Sequence, residues 1–135
     1  VVDITGLGAG LYDRLRERMG EGKVEGVNFG SQAHEKEHYA NRRAEIWDEM
    51  RKWFDDPAGV QVADNDMLQG DLCAPVWGKG ATQFRSNGQL VLESKDHIRE
   101  RLSFSPDLGD GAALTFAVAL SAAPATLNYN GKRYA

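Results

Sequence analysis

At 135 residues the chain is the size of one domain, and its 41% apolar and 27% charged content is that of a globular protein rather than a disordered or fibrous one. Sixteen basic residues against 20 acidic ones give a net charge of −4, which excludes a strongly basic nucleic-acid coat but leaves room for a local basic face. The one cysteine, Cys73, excludes an internal disulfide framework and a Cys-rich zinc site.

Val1 to Ile4 has the β-branched character of a buried strand and runs into the turn Thr5-Gly6-Leu7-Gly8-Ala9-Gly10. Leu11, Leu15 and Met19 then recur at helical spacing among Arg14, Arg16, Glu17 and Arg18, and Gly20 and Gly22 stop the helix. Lys23 to Phe29 reads as a second strand, so the first 30 residues or so predict a βαβ unit with parallel pairing. A polar stretch through His34 and His38 leads to a helix from about Asn41 to Phe54, with Ile46, Trp47, Met50, Trp53 and Phe54 at spacings of three and four.

Asp55-Asp56-Pro57-Ala58-Gly59 breaks that helix. Val60 to Ala63 predicts a short strand, and Asp64 or Asn65 can cap a helix through Met67, Leu68 and Leu72. Thr82–Arg85 and Gln89–Glu93 flank Ser86-Asn87-Gly88, a hairpin signal. Ser94 begins a short charged helix through Ile98 and Leu102. Ser105-Pro106-Asp107 predicts a last helix start, with Ser105 as its cap and an apolar body from Leu108 to Val118. The tail after Pro124 has no period. The longest apolar stretch, Gly111 to Ala123, falls short of the about 20 residues that a membrane crossing needs. Val1–Ile4 has no basic leader and the chain has no initiator Met, so an excised piece acting in a reduced, intracellular compartment is expected.

Several constellations can carry chemistry. Asp3 stands near the carboxyl end of a parallel strand, where ligands of open α/β sheets collect; it can equally cap the turn that follows. Asp107 and Asp110 are three apart on one helix face, a repulsive pair unless a positive group sits between them. A divalent cation would resolve that conflict, since hard oxygens suit Mg²⁺ or Mn²⁺; the alternative is a helix-start acid beside a solvated one. The glycine turn could cradle phosphate, but Leu11 stands where the dinucleotide pattern needs its third glycine, so close packing explains it better. Gly78-Lys79-Gly80-Ala81-Thr82 lacks the long glycine spacing of a phosphate loop. His34-Glu35-Lys36-Glu37-His38 satisfies the zinc-protease string, yet its segment has no apolar inner side, which marks a chance match. Basic residues gather at Arg42-Arg43, Arg51-Lys52, and Lys95, Arg99 and Arg101; Lys95 and Arg99 share one helix face and could meet phosphates, or form surface ion pairs.

Three ordered strings then carry a family resemblance. Val1-Val2-Asp3-Ile4-Thr5-Gly6-Leu7-Gly8-Ala9-Gly10-Leu11-Tyr12-Asp13-Arg14-Leu15 resembles a segment of the nuclease domain of tailed-phage terminase large subunits. So do Asn41-Arg42-Arg43-Ala44-Glu45-Ile46-Trp47 and the run from Leu92 to Arg101 followed by Ser105-Pro106-Asp107-Leu108-Gly109-Asp110, with Gly111 where alanine is commoner. The resemblance implies an α/β, RNase H-like mixed sheet flanked by helices, lacking the usual first strands. Residues 1–123 would form this partial nuclease domain and 124–135 a tail. It further implies metal-dependent endonuclease activity on concatemeric phage DNA in the bacterial host, encoded by a phage or prophage.

In that family, acids from a first strand, a middle strand and a late helix hold two metal ions, about 3.5–4 Å apart in two-metal sites. By position Asp3 resembles the middle-strand acid and Asp110 the helical one, with Asp107 as a further ligand; Lys95, Arg99 and Arg101 would face DNA. In the family the first acid lies on a strand upstream of the segment that matches Val1, and these 135 residues include neither that strand nor the packaging ATPase. The expectation is therefore a fragment with weak, millimolar-range Mg²⁺ or Mn²⁺ binding and little turnover. Expected partners are double-stranded DNA, the ATPase domain, the small terminase, the portal and a second copy of the chain through an open strand edge. The alternatives are a non-catalytic DNA- or protein-binding remnant, a Holliday-junction resolvase-like nuclease, and a nucleotide-binding module.

Overall fold

The structure is a computed structural model that describes residues 1–78 and 84–118. Its first three elements are β1 (Val2–Asp3), α1 (Gly8–Met19) and β2 (Gly26–Val27). The strands pair in parallel, Val2 opposite Gly26 and Asp3 opposite Val27, so the expected βαβ unit is present. β1 is shorter than Val1–Ile4 and half-buried rather than buried, with Val1 exposed. Gly8 explains how α1 can begin so close to the strand. A Cβ there would lie 1.7 Å from the Asp3 carbonyl oxygen. Close packing therefore accounts for this glycine.

The chain then turns through residues 28–40 and enters α2 (Arg42–Phe54). Asn41 is extended, and its side chain accepts a hydrogen bond from the Ala44 N–H at 2.9 Å, the geometry of an N-cap. Two main-chain bonds tie the helix start to the segment after β2: Arg42 N–H donates to Ser31 O and Arg43 N–H to Phe29 O. α2 is the centre of the core. Ala44, Ile46, Trp47 and Met50 are buried in it against Phe29, Tyr39 and Leu92.

α3 (Asp66–Cys73) is capped by Asn65, whose side chain accepts from Leu68 N–H. The expected strand at Val60–Ala63 is absent: no strand or bridge involves these residues, and Val62 is exposed. β-branched residues favour a strand only when neighbouring strands supply partners, and here none does. The hairpin is present in outline. Arg85 N–H donates to Gln89 O, and antiparallel bridges join Phe84 to Leu90 and Trp77 to Leu92, while Leu90 also bridges in parallel to Tyr39. Thr82 and Gln83 of its expected first strand, Lys79–Thr82 of the glycine-lysine segment, residues 119–123 of the apolar stretch and the whole 124–135 tail lie outside the described residues.

Ser94 caps α4 (Lys95–Leu102) by accepting from His97 N–H, and Ser103 ends it in the left-handed region at φ 61°. α5 (Asp107–Leu114) follows. It is shorter than the expected run to Val118, which closes instead in turns through Phe116 and Ala117. Ser105 does not cap it. Its hydroxyl donates to Asp107 Oδ1 at 2.8 Å, and Pro106 holds the cap position without a side-chain bond. The result is a mixed α/β domain with a parallel pair of strands and, among the described residues, five helices.

Candidate functional site

Asp110 is a buried acid held by partners from two other helices, and the fold explains why. Arg43 and Trp47 are one turn apart on α2, so both side chains leave the same face. α5 lies across that face, and Asp110 on its first turn is 3% exposed. Its Oδ1 accepts from Arg43 Nε at 3.0 Å and from Trp47 Nε1 at 2.7 Å. Its Oδ2 is 2.7 Å from Lys95 Nζ, close enough for an ion pair but not aligned as a hydrogen bond. Arg43 reaches further, donating from Nη1 to Glu93 O at 2.7 Å, while its Nη2 is buried without a partner.

Asp107 stands one turn earlier at the rim, exposed, with Lys95 Nζ 3.7 Å from Oδ1. The positive group that the spacing of this acidic pair demanded is thus present, and it is the Lys95 ammonium. Two opposed cations, Arg43 and Lys95, balance the two carboxylates within this cluster. Buried ionic groups need such pairing, because removal from water is costly for each ion alone.

Asp3 behaves differently. It ends β1 half-buried, and its Oδ1 accepts from Thr5 N–H at 2.9 Å, the turn-capping role that its position allowed. Among the described residues no three His, Cys, Asp or Glu side chains stand close enough together to hold a metal ion. Asp107 and Asp110 are therefore brought together around Lys95, but they do not form a three-donor set with Asp3. As arranged here the donors do not fit a divalent cation: Asp110 Oδ1 already accepts two N–H groups of the protein, Oδ2 is ion-paired with Lys95, and Arg43 and Lys95 carry the positive charge that an ion would supply.

The other basic candidates are also engaged. Arg101 forks onto Glu93, Nε to Oε1 at 3.1 Å and Nη2 to Oε2 at 2.6 Å, and also donates to Ala74 O. Those Arg101 bonds hold the Glu93 carboxyl below the usual carboxylate range, against the opposing effect of burial. Arg99 pairs with Asp96 on the surface, where an ion pair contributes little. Arg42 is not a surface cation: it bonds Glu45 and the Ala117 carbonyl. Burial pushes the Glu45 carboxyl up, but the N–H groups of Glu35 and His34, with Arg42, outweigh it and leave it lowered. Those main-chain bonds also dispose of the zinc-protease string, whose His38 merely faces Glu35 at 3.2 Å in a turn.

Asp71 on α3 is a further residue with a role here that its local sequence does not announce. It is buried, and its Oδ2 accepts from the N–H groups of Leu108 (2.7 Å) and Gly109 (3.2 Å) on α5. Trp47 read from spacing alone as a core residue, and nothing in its neighbours pointed to an acid partner 63 residues away.

No protein-family model matches the chain, and no curated protein sequence does. Solved structures do. The nuclease domain of the large terminase subunit gp2 of bacterial virus Sf6, as a lysine-to-alanine mutant with manganese, is similar with a TM-score of 0.64 at 19% identity, over 84% of this chain and 63% of that one. The same mutant with calcium gives 0.62 at 20% identity, over 84% and 62%. The unmutated domain gives 0.63 at 17% identity, over 88% and 64%. The chain thus spans a little under two thirds of the length of these neighbours. Across that span it has the fold of a phage terminase nuclease domain, in the mixed α/β class that its sequence predicted.

Proposed function

We propose that the chain is the nuclease part of a phage DNA-packaging terminase large subunit, a Mg²⁺- or Mn²⁺-dependent endonuclease acting on double-stranded DNA. The observation that carries this reading is the acidic pair Asp107 and Asp110 at the start of α5, gathered around a lysine in a chain with the terminase nuclease fold. In this proposal Asp110 and Asp107 are the late-helix acids and Asp3 the strand acid, within an RNase H-like domain. Lys95, Arg99 and Arg101 on α4 lie on the DNA side. The packaging ATPase, small terminase and portal are its partners in the host cytoplasm, and a second copy of the chain can join through the open edge of β1. No described helix is long and apolar enough to cross a membrane.

The donor set limits how far this piece works alone. Divalent binding requires the Lys95 ammonium to leave Asp110, and two-metal cleavage needs a carboxylate beyond those that the described residues assemble. Weak metal binding and little turnover follow. Calorimetric titration of Mn²⁺ into the wild type and an Asp3→Ala, Asp110→Ala double variant tests the reading, together with a plasmid-cutting assay. Weak binding in the wild type that disappears in the double variant supports it; equal heats in both would falsify it.

The pairing of Lys95 with Asp110 favours a second reading, a remnant that binds DNA without cutting it. In that case DNA binding persists in a chelator and weakens steeply with added salt as phosphate counterions are exchanged.

A further inference from the structure

Every N–H at the start of α5 has a partner, and the arrangement differs from that of its neighbours. α2, α3 and α4 are capped by the residue just before them, Asn41, Asn65 and Ser94. α5 follows Pro106, which has no side-chain acceptor. Asp107 N–H donates to Ser105 O at 2.9 Å, and Asp110 N–H to Pro106 O at 2.9 Å. The remaining donors, Leu108 and Gly109, both turn to Asp71 Oδ2. A carboxylate from another helix thus does the work of the missing cap, at the helix end where negative charge is favoured. The approach is close: a Cβ on Gly109 would lie 3.1 Å from the Asp71 carbonyl carbon and oxygen and 3.1 Å from Trp47 Cη2. Three helices therefore meet at the residue directly before Asp110.

We propose that Asp71 is a positioning residue for the acids of α5. By gripping Leu108 and Gly109 it fixes how deeply Asp110 reaches between Arg43, Trp47 and Lys95, and it keeps Asp107 at the rim. The functional part of this inference rests on the reading of Asp107 and Asp110 as site acids; the geometric part does not. Removing the carboxylate frees two N–H groups and lets α5 slide or tilt, which changes the Trp47-to-Asp110 bond without any change to either partner.

The test uses the full 135-residue chain, without metal or DNA, and reads two NMR signals: the Trp47 indole N–H, assigned against Trp47→Phe, and the exchange rates of the Leu108 and Gly109 amides. In Asp71→Ala the indole signal is expected to leave its hydrogen-bonded position and the two amides to exchange about tenfold faster or more. Asp71→Asn, which keeps an acceptor oxygen, is expected to restore the indole position and bring the rates within about threefold of wild type. If Asp71→Ala does not fold, Asp71→Ser, whose oxygen sits on a shorter arm, is read in its place with the same expectation. A variant that melts earlier but leaves the indole signal unmoved shows Asp71 to be merely stabilising and overturns the proposal. So does an Asn variant as displaced as the Ala one. Failure of the wild type to bind Mn²⁺ overturns the nuclease reading alone, since neither NMR signal depends on it.

Discussion

The βαβ unit at the start of the chain and the helices after it solve the same problem to very different degrees. α1 has a regular leucine spacing, yet none of its twelve residues is buried, and Leu7, Leu11 and Met19 are all exposed. α2, one residue longer, buries seven of its thirteen, among them Arg43, Glu45 and Asp48. An apolar stripe therefore establishes that a helix forms, not that its stripe is covered. Charge is no guide either: the helix with buried charged residues is the one at the centre. Burial follows what surrounds a helix, and around α2 the hairpin, α3 and α5 all supply surface.

The sharpest way to break this contrast is to empty the ionic cluster. Asp110→Ala leaves the buried Arg43 guanidinium without its partner and is expected to cost about 3–5 kcal/mol, read from chemical denaturation. A loss near that of a surface substitution would mean that α2 and α5 are not joined as described. Ile46→Ala, at a fully buried position, is expected to cost about 2–5 kcal/mol through lost burial and the cavity left behind. Gly8→Ala asks the question of the other region. Its methyl meets the Asp3 carbonyl and is expected to cost about 1–3 kcal/mol, with faster amide exchange in α1 and little change in α2.

Acid pH separates the regions without mutation. Glu45, Asp48 and Glu93 belong to the second region, and all three have lowered carboxyl pKa values: Glu93 chiefly through Arg101, and Glu45 and Asp48 because their bonds outweigh burial. A lowered folded-state pKa stabilises fully above the unfolded-state value, and that contribution disappears as pH falls through the folded one. Stability is therefore expected to drop below the ordinary carboxylate range of about 4, and Glu93→Gln to make the drop shallower. An unchanged slope in that variant would remove Glu93 from the account. The smallest effect belongs to the residue just before α1: Leu7→Ala, at a position 98% exposed in the wild type, should change stability by less than about 0.5 kcal/mol. A larger loss would show that this end of α1 is covered in solution.

What could be read from the sequence was local, and what could not was a matter of distant partners. Asn41, Asn65 and Ser94 announce helix starts because a short polar side chain can bond its own backbone, and all three do. The Asn-Gly turn marks the hairpin for a similar reason. Ser105 carried the same signal but spends its hydroxyl on Asp107, because Asp71 had already taken the amides of α5. The acidic pair was visible as a charge conflict, and its answer, Lys95, was in view twelve residues before Asp107. Repulsion reveals that a positive charge is needed, not whether an ammonium or a metal ion supplies it. Nothing local placed Trp47 on Asp110 or Arg101 on Glu93.

Sequence drift in this chain is pinned at one point of its least constrained region. Because a methyl at position 8 would overlap the Asp3 carbonyl oxygen, descendants that keep the strand-to-helix turn can exchange nearly all of α1 and still require that glycine. Divergent members of this fold would then be found by a strand end followed five places later by glycine, rather than by the leucines that first draw the eye.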